Sequence, residues 1–210
     1  MNNLDITCQS ISALTVGDDR AKVLRHADAT VIIVADGAGG SSGGAEAAQM
    51  LVALAETECT TVGVPVDDIA CCALLTRLDA DISREGQAGE TTAVIAVITS
   101  SELYGASVGD SGAWLVLAND WFDLTGAQSR KPLLGWGDAE STPFSAELRE
   151  GSLIIATDGL WNYASQDRIL NIMRSGGSSA DIADSLVSAA RLPNGELCDD
   201  ITVVVCKSTV

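Results

Sequence analysis

Short apolar runs that lie beside an aspartate recur along this chain, and they restrict what it can fold into. The run ATVIIVA at 29–35 leads into Asp36, and SLIIA at 152–156 is followed closely by Asp158. A third run, ITVVVC, comes directly after the pair that includes Asp199. Because these runs are rich in β-branched residues, they predict buried strands. The sequence therefore predicts strands whose ends carry carboxylates.

The other apolar patterns complete a fold of mixed class. Helical spacing predicts helices over 45–59, from about 66 to 84, around 166–174 and around 179–190. Further strands are predicted at 91–99, 103–108, 113–117 and 121–124, with a glycine-rich turn at 37–44, a tight hairpin at 109–112 and an irregular segment at 129–150. Hairpin-linked strands with two pairs of helices predict antiparallel sheets with helices packed outside. With no internal repeat or linker, we expect one domain over 1–210.

The charge balance excludes some classes of partner. The chain has 29 acidic and 12 basic residues, for a net charge of −17. Such a field repels nucleic acid and anionic membranes, so neither is an expected partner. The sequence has neither an apolar span of about 20 residues nor a basic, apolar leader, so we expect a cytoplasmic protein.

Histidine and cysteine are poorly placed for catalysis or zinc binding. The chain has a single histidine, His26, and six cysteines without any CxxC pair. Zinc sites need such residues at short spacings, and a Ser-His-Asp mechanism needs an imidazole at the site. The cysteines are therefore expected to be small buried hydrophobes.

Five acidic turns together indicate a cation site. They are GDDR at 17–20, VADG at 34–37, VGDSG at 108–112, ATDG at 156–159 and CDDIT at 198–202. One aspartate in a turn is ordinary, because its side chain bonds backbone amides. Several carboxylates that converge from strand ends repel one another unless a cation lies among them. Oxygen ligands without histidine or cysteine select Mg²⁺ or Mn²⁺.

The same motifs, in the same order, resemble the PPM family, the metal-dependent protein phosphatases of the 2C type. VADGAGG, GETTAV, VGDSG, ATDGLW and DDITVVV are similar to the family patterns DGxGG, GTTA, GDSR, SDGLW and DNxTVVV. The resemblance extends from about Gly17 to about Val205. It implies an α+β fold, in which a sandwich of two antiparallel β-sheets is flanked by α-helices on both faces. It also implies a binuclear metal centre in the cleft between the sheets.

The resemblance assigns metal ligands residue by residue. Asp36 matches the aspartate that bridges both metals, and Gly37 matches the glycine whose carbonyl binds one of them. Asp158 and Asp199 match the other two carboxylates. Asp36, Asp158 and Asp199 are thus the implied catalytic set, with two Mn²⁺ or Mg²⁺ ions as cofactors.

Three more aspartates resemble auxiliary positions of the family. Asp18 falls where the family has the glutamate of a Glu-Asp pair, so it resembles a shorter ligand, and Asp19 matches the second acid of that pair. Asp110 resembles the extra ligand that helps hold a third, weaker metal in bacterial members.

The chain departs from the family at several positions. Leu14 replaces the phosphate-binding arginine, Ala38 replaces the histidine of DGHGG, and Gly112 replaces the arginine of GDSR. Only 32 residues separate Thr125 from Asp158, so the flap subdomain of the family is mostly trimmed.

Three cations are candidates to replace the missing arginine. These are Arg20, Arg130 and Lys131, and their simpler interpretation is that they are solvated surface charges. A phosphate-binding role requires them to face the carboxylate cluster.

The implied function is hydrolysis of phosphoserine and phosphothreonine in proteins by a water that bridges two divalent cations. The implied partners are a phosphorylated protein substrate and a partner kinase. Two alternatives stay open from the sequence. One is a catalytically weak, pseudophosphatase-like binding module, which the missing arginine and short flap favour. The other is a phosphatase of a small phosphorylated metabolite, which an open cleft would suit.

Overall fold

Two five-stranded antiparallel sheets form the centre of the molecule. The computed structural model describes residues 3–14, 16–38, 43–86, 89–147 and 151–209, so part of the predicted glycine-rich turn at 37–44 lies outside the described residues. The strands are β1 Asn3–Ile11, β2 Arg20–Arg25, β3 Thr30–Ala35, β4 Ala93–Ile98, β5 Glu102–Val108, β6 Gly112–Leu117, β7 Trp121–Asp123, β8 Thr142–Glu147, β9 Gly151–Ala156 and β10 Ile201–Thr209. One sheet has the order β1-β10-β9-β6-β7, and the other has the order β2-β3-β4-β5-β8.

Five helices accompany the sheets within the described part of the chain. They are α1 Gly44–Thr61, α2 Asp68–Glu85, α3 Asp158–Trp161, α4 Gln166–Arg174 and α5 Ser179–Ala190. The predicted bounds of α4 and α5 agree with those observed. Local signals explain the helix ends: Asp67 caps α2 by accepting from the backbone N–H of Ala70 at 2.7 Å, and Ser178 forms a capping box with Asp181. Among the described helices, none has the length and apolar content needed to span a bilayer.

The central strands are buried on both faces because each sheet lies between the other sheet and a helical layer. Along β3, Ile32 and Val34 point into the layer between the sheets, where they join Ile155 of β9. Their neighbours Val31 and Ile33 point the other way, into the core formed with α1 and α2. Since successive side chains of a strand face opposite sides, this explains the continuous apolar run of β3.

The second sheet has its own helical cover. Ile154 of β9 and Val203 of β10 pack with Ile169 of α4 and Leu186 of α5. The layers are therefore helices, sheet, sheet and helices. The expected α+β sandwich with helices on both faces is confirmed.

Two local expectations were wrong. The turn at 109–112 is not a hairpin, because β5 and β6 belong to different sheets and the turn carries the chain from one to the other. The segment 129–150, expected to be irregular, contains β8, which pairs with β5. The sequence pattern did not predict strands β1, β2 and β8, and the reason is the same for all three. Each lies at the edge of a sheet and is only partly buried, so it does not need a continuous apolar run.

We predict that Ile32→Ala lowers the free energy of unfolding by about 2–5 kcal/mol, because it leaves a cavity between the two sheets. Ile32 is 0% exposed. Val66, which is 80% exposed, provides the control, and Val66→Ala should change stability by about 0.5 kcal/mol or less. Urea denaturation of the two variants measures the difference. Equal stabilities would contradict the assigned packing between the sheets.

Candidate metal centre

All five acidic turns lie at one end of the sandwich. In one sheet, Arg20 at the start of β2 pairs with Ala35 at the end of β3. In the other, Ala156 at the end of β9 pairs with Gly112 at the start of β6. The turn at 109–111 crosses between the sheets at this same end. In one sheet, antiparallel pairing thus places the turn before β2 beside the turn after β3. In the other, it groups the turns that flank β6, β9 and β10. The crossover turn brings the two groups together at one end of the sandwich.

These turns enclose one cavity of about 540 Å³. It is lined by Asp18, Asp36, Gly37, Ala38, Thr92, Asp110, Arg130, Lys131, Leu133, Asp158, Asp199 and Asp200. The structure therefore brings together every proposed metal ligand from the sequence, together with two of the three candidate phosphate-binding cations. The lining is acidic and has no histidine or cysteine.

Thr91 and Thr92, the two residues before β4, fix the backbone of Asp36. The amide of Asp36 donates to the Thr92 hydroxyl at 3.0 Å, and the Thr91 hydroxyl donates to the Asp36 carbonyl at 2.9 Å. Thr92 also lies 2.7 Å from the Ser111 hydroxyl, in the turn that crosses between the sheets. The backbone around Asp36 is therefore held by Thr91 and Thr92 and, through Thr92, is connected to the turn that contains Ser111.

Asp19 is a buried carboxylate that connects the two sheets. Only 6% of it is exposed, and Oδ2 accepts from the Thr157 hydroxyl at 2.8 Å. The same hydroxyl accepts from the backbone N–H of Thr202 at 2.9 Å. The other carboxylate oxygen of Asp19, Oδ1, is buried without a hydrogen-bond partner among the described residues. A buried oxygen of this kind is costly unless a further group binds it.

Asp200 shapes the loop that carries Asp18, and the sequence did not single it out. Its carboxylate accepts from the backbone N–H of Ala13 at 2.8 Å and of Asp18 at 2.6 Å. Its own backbone is closely packed, because a Cβ on Gly159 would lie 1.9 Å from the Asp200 carbonyl oxygen. Glycine is therefore required at 159 to bring the Asp158 turn against the Asp199-Asp200 turn. The signal available in the sequence was the doubled aspartate.

Burial and mutual repulsion raise the pKa values of several carboxylates in the cluster. Burial, followed by the nearby Asp19 carboxylate, raises the pKa of Asp36 to about 9. Burial also raises the pKa of Asp19 to about 7, although the Thr157 hydrogen bond opposes the shift. The pKa of Asp158 is raised, first by burial and then by Asp110, while its contact with the Asp36 carboxyl and a 2.9 Å bond from Asn162 lower it. These pKa shifts arise first from burial and then from the negative charges of neighbouring carboxylates, which have too little positive charge nearby.

The three candidate cations lie in different places. Arg130 bonds the Asp110 carboxylate, with Nε at 3.0 Å, and Lys131 lies 3.0 Å from Glu90 at the cavity rim. Arg20 lies outside the cavity lining. Its guanidinium donates to the side chain of Gln49 and to the carbonyls at 17 and 19, so it braces the loop rather than facing the cluster. The structure thus does not place Arg20 for the phosphate-binding role expected of it.

The donor set fits hard divalent cations. Every acidic group that lines the cavity offers carboxylate oxygen, Gly37 offers a carbonyl, and Asp19 retains an unpaired buried oxygen. Within the described ranges, no three acidic, histidine or cysteine side chains already surround one ion position. An ion here would accordingly be held by one or two carboxylates and would complete its shell with carbonyl oxygen and water, as Mg²⁺ does in many proteins.

Comparisons with known proteins agree with this architecture. Residues 26–209 match the family model described as stage II sporulation protein E (SpoIIE). No curated protein sequence matches the chain.

Solved structures share the fold at low sequence identity. A bacterial serine phosphatase is similar with a TM-score of 0.86 and 15% identity, over 99% of this chain and 98% of its own. The serine/threonine phosphatase Stp1 from Staphylococcus aureus has a TM-score of 0.84 and 15% identity, over 100% and 96%. The catalytic domain of the serine threonine protein phosphatase PstP, in complex with 2 manganese ions, has a TM-score of 0.81 and 20% identity, over 97% of each chain.

The raised pKa values predict how stability depends on pH in EDTA. Between the ordinary value of 3.8 and the folded values of about 7 for Asp19 and about 9 for Asp36, the folded state binds more protons than the unfolded state. The free energy of unfolding should therefore fall as pH rises from about 5 to 8, by up to about 1.4 kcal/mol per pH unit for each such proton.

Thermal melts in EDTA across this range measure the slope. Asp36→Asn should flatten it, whereas Asn at the exposed control position Asp28 should leave it unchanged. A melting temperature that rises from pH 5 to 8 in wild type would contradict the charge cluster.

Proposed function

We propose that this chain, which belongs to the SpoIIE family of PPM-type phosphatases, hydrolyses phosphoserine and phosphothreonine in proteins with the help of Mn²⁺ or Mg²⁺. One observation carries the proposal. Acidic turns from both sheets converge on a single cavity whose ligands are all oxygen and whose carboxylates have too little positive charge around them. Such a cavity attracts divalent cations and, once they are bound, the phosphate of a substrate.

The residues of the cavity have two roles, which are to bind the ions and to hold the ligand oxygens in position. In the proposal Asp36, Asp158, Asp199 and the Gly37 carbonyl hold two ions, with Asp18 assisting and Asp110 available to a third. Bound cations of this kind lower the pKa of a water molecule and offset charge on the phosphoryl oxygens. The protein's own contribution is to fix these oxygens rigidly on strand ends and to exclude competing ligands.

Among the described residues, no side chain of the cavity is suited to act as a nucleophile. Thr92 is the one hydroxyl that the described lining contains, and it is already engaged with the Asp36 amide and with Ser111. The described lining contains no cysteine. Cys198 is exposed and lies outside the cavity lining. The attacking group in the proposal is therefore water, and no covalent phosphoenzyme forms.

Phosphoproteins are the proposed substrates, and a partner kinase supplies them. The similar structures are named as serine and serine/threonine phosphatases, and this chain covers nearly their full length. The short link between β7 and β8 leaves the cavity without a flap subdomain. Side chains on a protein surface can then reach the ligands, with Arg130 and Lys131 at the rim to contact the phosphate.

We predict that hydrolysis of a phosphoserine peptide and of p-nitrophenyl phosphate requires millimolar Mn²⁺ or Mg²⁺ and disappears in EDTA. Asp158→Asn should abolish turnover, because it removes one charged ligand while nearly preserving shape. The same variant should melt at or above the wild-type temperature in EDTA, since it relieves repulsion, and below wild type in Mn²⁺.

Phosphate release and melting curves with and without metal measure these effects. Full activity in EDTA would exclude metal-dependent hydrolysis, and an absence of turnover with any metal would favour a pseudophosphatase-like binding module. Turnover of small phosphoesters without turnover of phosphopeptides would instead favour a metabolite phosphatase.

We predict that Lys131→Ala raises KM for the phosphopeptide about tenfold or more, with little change in metal affinity. The reason is that a charge-assisted contact to phosphate is worth roughly 1.5–3 kcal/mol. Lys22→Ala is the matched control, because Lys22 forms a similar surface ion pair, with Glu56 at 3.0 Å, away from the cavity lining. Equal KM values for both variants would remove Lys131 from the site.

A further inference from the structure

A single buried carboxylate holds the segment 130–139 against the helical layer. Asp79 lies on α2 and is 3% exposed. Its Oδ1 accepts from the backbone N–H of Gly135 at 2.7 Å and of Gly137 at 2.9 Å. Its Oδ2 accepts from the backbone N–H of Ala139 at 2.9 Å. Three backbone donors thus surround one carboxylate from a different element of the fold.

The shape of the segment is adapted to this carboxylate. Gly135 and Gly137 have φ angles of +101° and +86°, in the left-handed region that favours glycine. A Cβ on Gly135 would also lie 2.4 Å from the Gly89 carbonyl oxygen. Asp79 has no ion-pair partner within the described ranges, so these amides are what compensates its burial.

The segment leads directly to the cavity. Leu134, which is 1% exposed, exchanges two backbone hydrogen bonds with Thr91, at 3.0 and 3.1 Å. The Thr91 hydroxyl in turn donates to the Asp36 carbonyl at 2.9 Å. Just before Leu134 in the chain, Lys131 and Leu133 line the cavity itself. The anchored end and the cavity end of the segment are only a few residues apart.

Other contacts of the segment are weaker restraints. The Arg130–Asp110 and Lys131–Glu90 pairs have cationic side chains that are 75% and 66% exposed. Exposed ion pairs of this kind contribute little to holding a backbone in place. The buried side chains of Leu133 and Leu134 and the Asp79 carboxylate are therefore the main anchors of the segment.

We propose that Asp79 is a positioning residue: by binding the amides of Gly135, Gly137 and Ala139, it sets the location of Lys131 and Leu133 at the cavity. It does not line the cavity and acts only through the segment. The inference deepens the proposed function, on which its turnover measurements rest. Its structural part concerns the segment and can be measured without any turnover.

The first test is Asp79→Asn in the full chain with Mn²⁺ bound. The amide loses the charge and offers one acceptor oxygen, so at least one of the three backbone donors loses its partner. KM for the phosphopeptide should rise about fivefold to tenfold, approaching the effect of removing the Lys131 contact, while kcat changes less than about twofold. Ala139→Pro, which removes one donor from the segment side, should change KM in the same direction if the first variant folds poorly.

A double-mutant cycle tests whether Asp79 acts through Lys131. In the Lys131→Ala background, Asp79→Asn should raise KM by less than about twofold, because the group it positions is already absent. Asp67→Asn is the matched control: it removes one charge at the N-cap of the same helix, while the asparagine oxygen can still accept the 2.7 Å bond from Ala70. This control should leave KM unchanged. Fully additive effects of the two substitutions, or an equal KM increase in the control, would overturn the proposal.

Amide hydrogen exchange separates this proposal from the proposed function. The amides of Gly135, Gly137 and Ala139 should be protected in wild type and should exchange at least tenfold faster in Asp79→Asn, without a similar change across β9 and β10. Unchanged exchange would overturn the proposal whatever the activity.

If wild type has no turnover, the proposed function fails, and the affinity for inorganic phosphate in Mn²⁺ replaces KM in the same cycle. Weaker phosphate binding in Asp79→Asn that depends on Lys131 would support the positioning role. Equal phosphate binding in wild type and Asp79→Asn would exclude it.

Discussion

Repulsion among carboxylates at one end of the sandwich is the constraint on which the site depends. Asp19 is buried and Asp36 is half-buried, and nearby cations do not neutralise them, so their pKa values lie well above the ordinary range. A fold gains nothing from such an arrangement by itself, since like charges in a poorly solvated space weaken it. The arrangement becomes favourable when divalent cations occupy the space. The repulsion that weakens the fold without metal is thus the same interaction that favours the binding of divalent cations.

The two sheets provide the rigidity that this charge cluster requires. Side chains such as Ile32 and Ile155 fill the layer between the sheets, and the helical layers cover the outer faces. Thr157 and Thr92 then use their hydroxyls to connect acidic turns that belong to different strands. Because the apolar layers fix the strand ends, the polar contacts need only make small adjustments to the position of each carboxylate.

The positive side of the cavity is built differently from the acidic side. The carboxylates sit on strand ends, whereas Lys131 and Leu133 belong to a segment without regular structure. Such a segment needs its own anchors, and Asp79 supplies a buried one from α2, a helix with no residue in the described lining. A phosphatase with a trimmed flap would in this way retain a defined rim from a short stretch of chain.

Much of the fold followed from local pattern, and each failure has a physical cause. The buried strands and the helices α4 and α5 were predictable because burial on both faces or on one helical face leaves a clear periodicity. The edge strands β1, β2 and β8 were missed, since a partly exposed strand carries no such pattern. The turn at 109–112 looked like a hairpin because its local sequence suits a tight turn, and local sequence does not specify which sheet the next strand joins.

The sequence by itself determined which residue types are available for chemistry: many aspartates at turns, one histidine and no CxxC pair. That composition, with the order of the motifs, was enough to indicate an oxygen-ligand metal site and the family. Only the tertiary structure decided that Arg20 lies outside the cavity lining, that Asp200 shapes the Asp18 loop, and that Asp79 anchors a segment 56 to 60 residues further along the chain. Those contacts join residues far apart in sequence. Their partners are chosen by the packing of the sheets and helices, which no local pattern records.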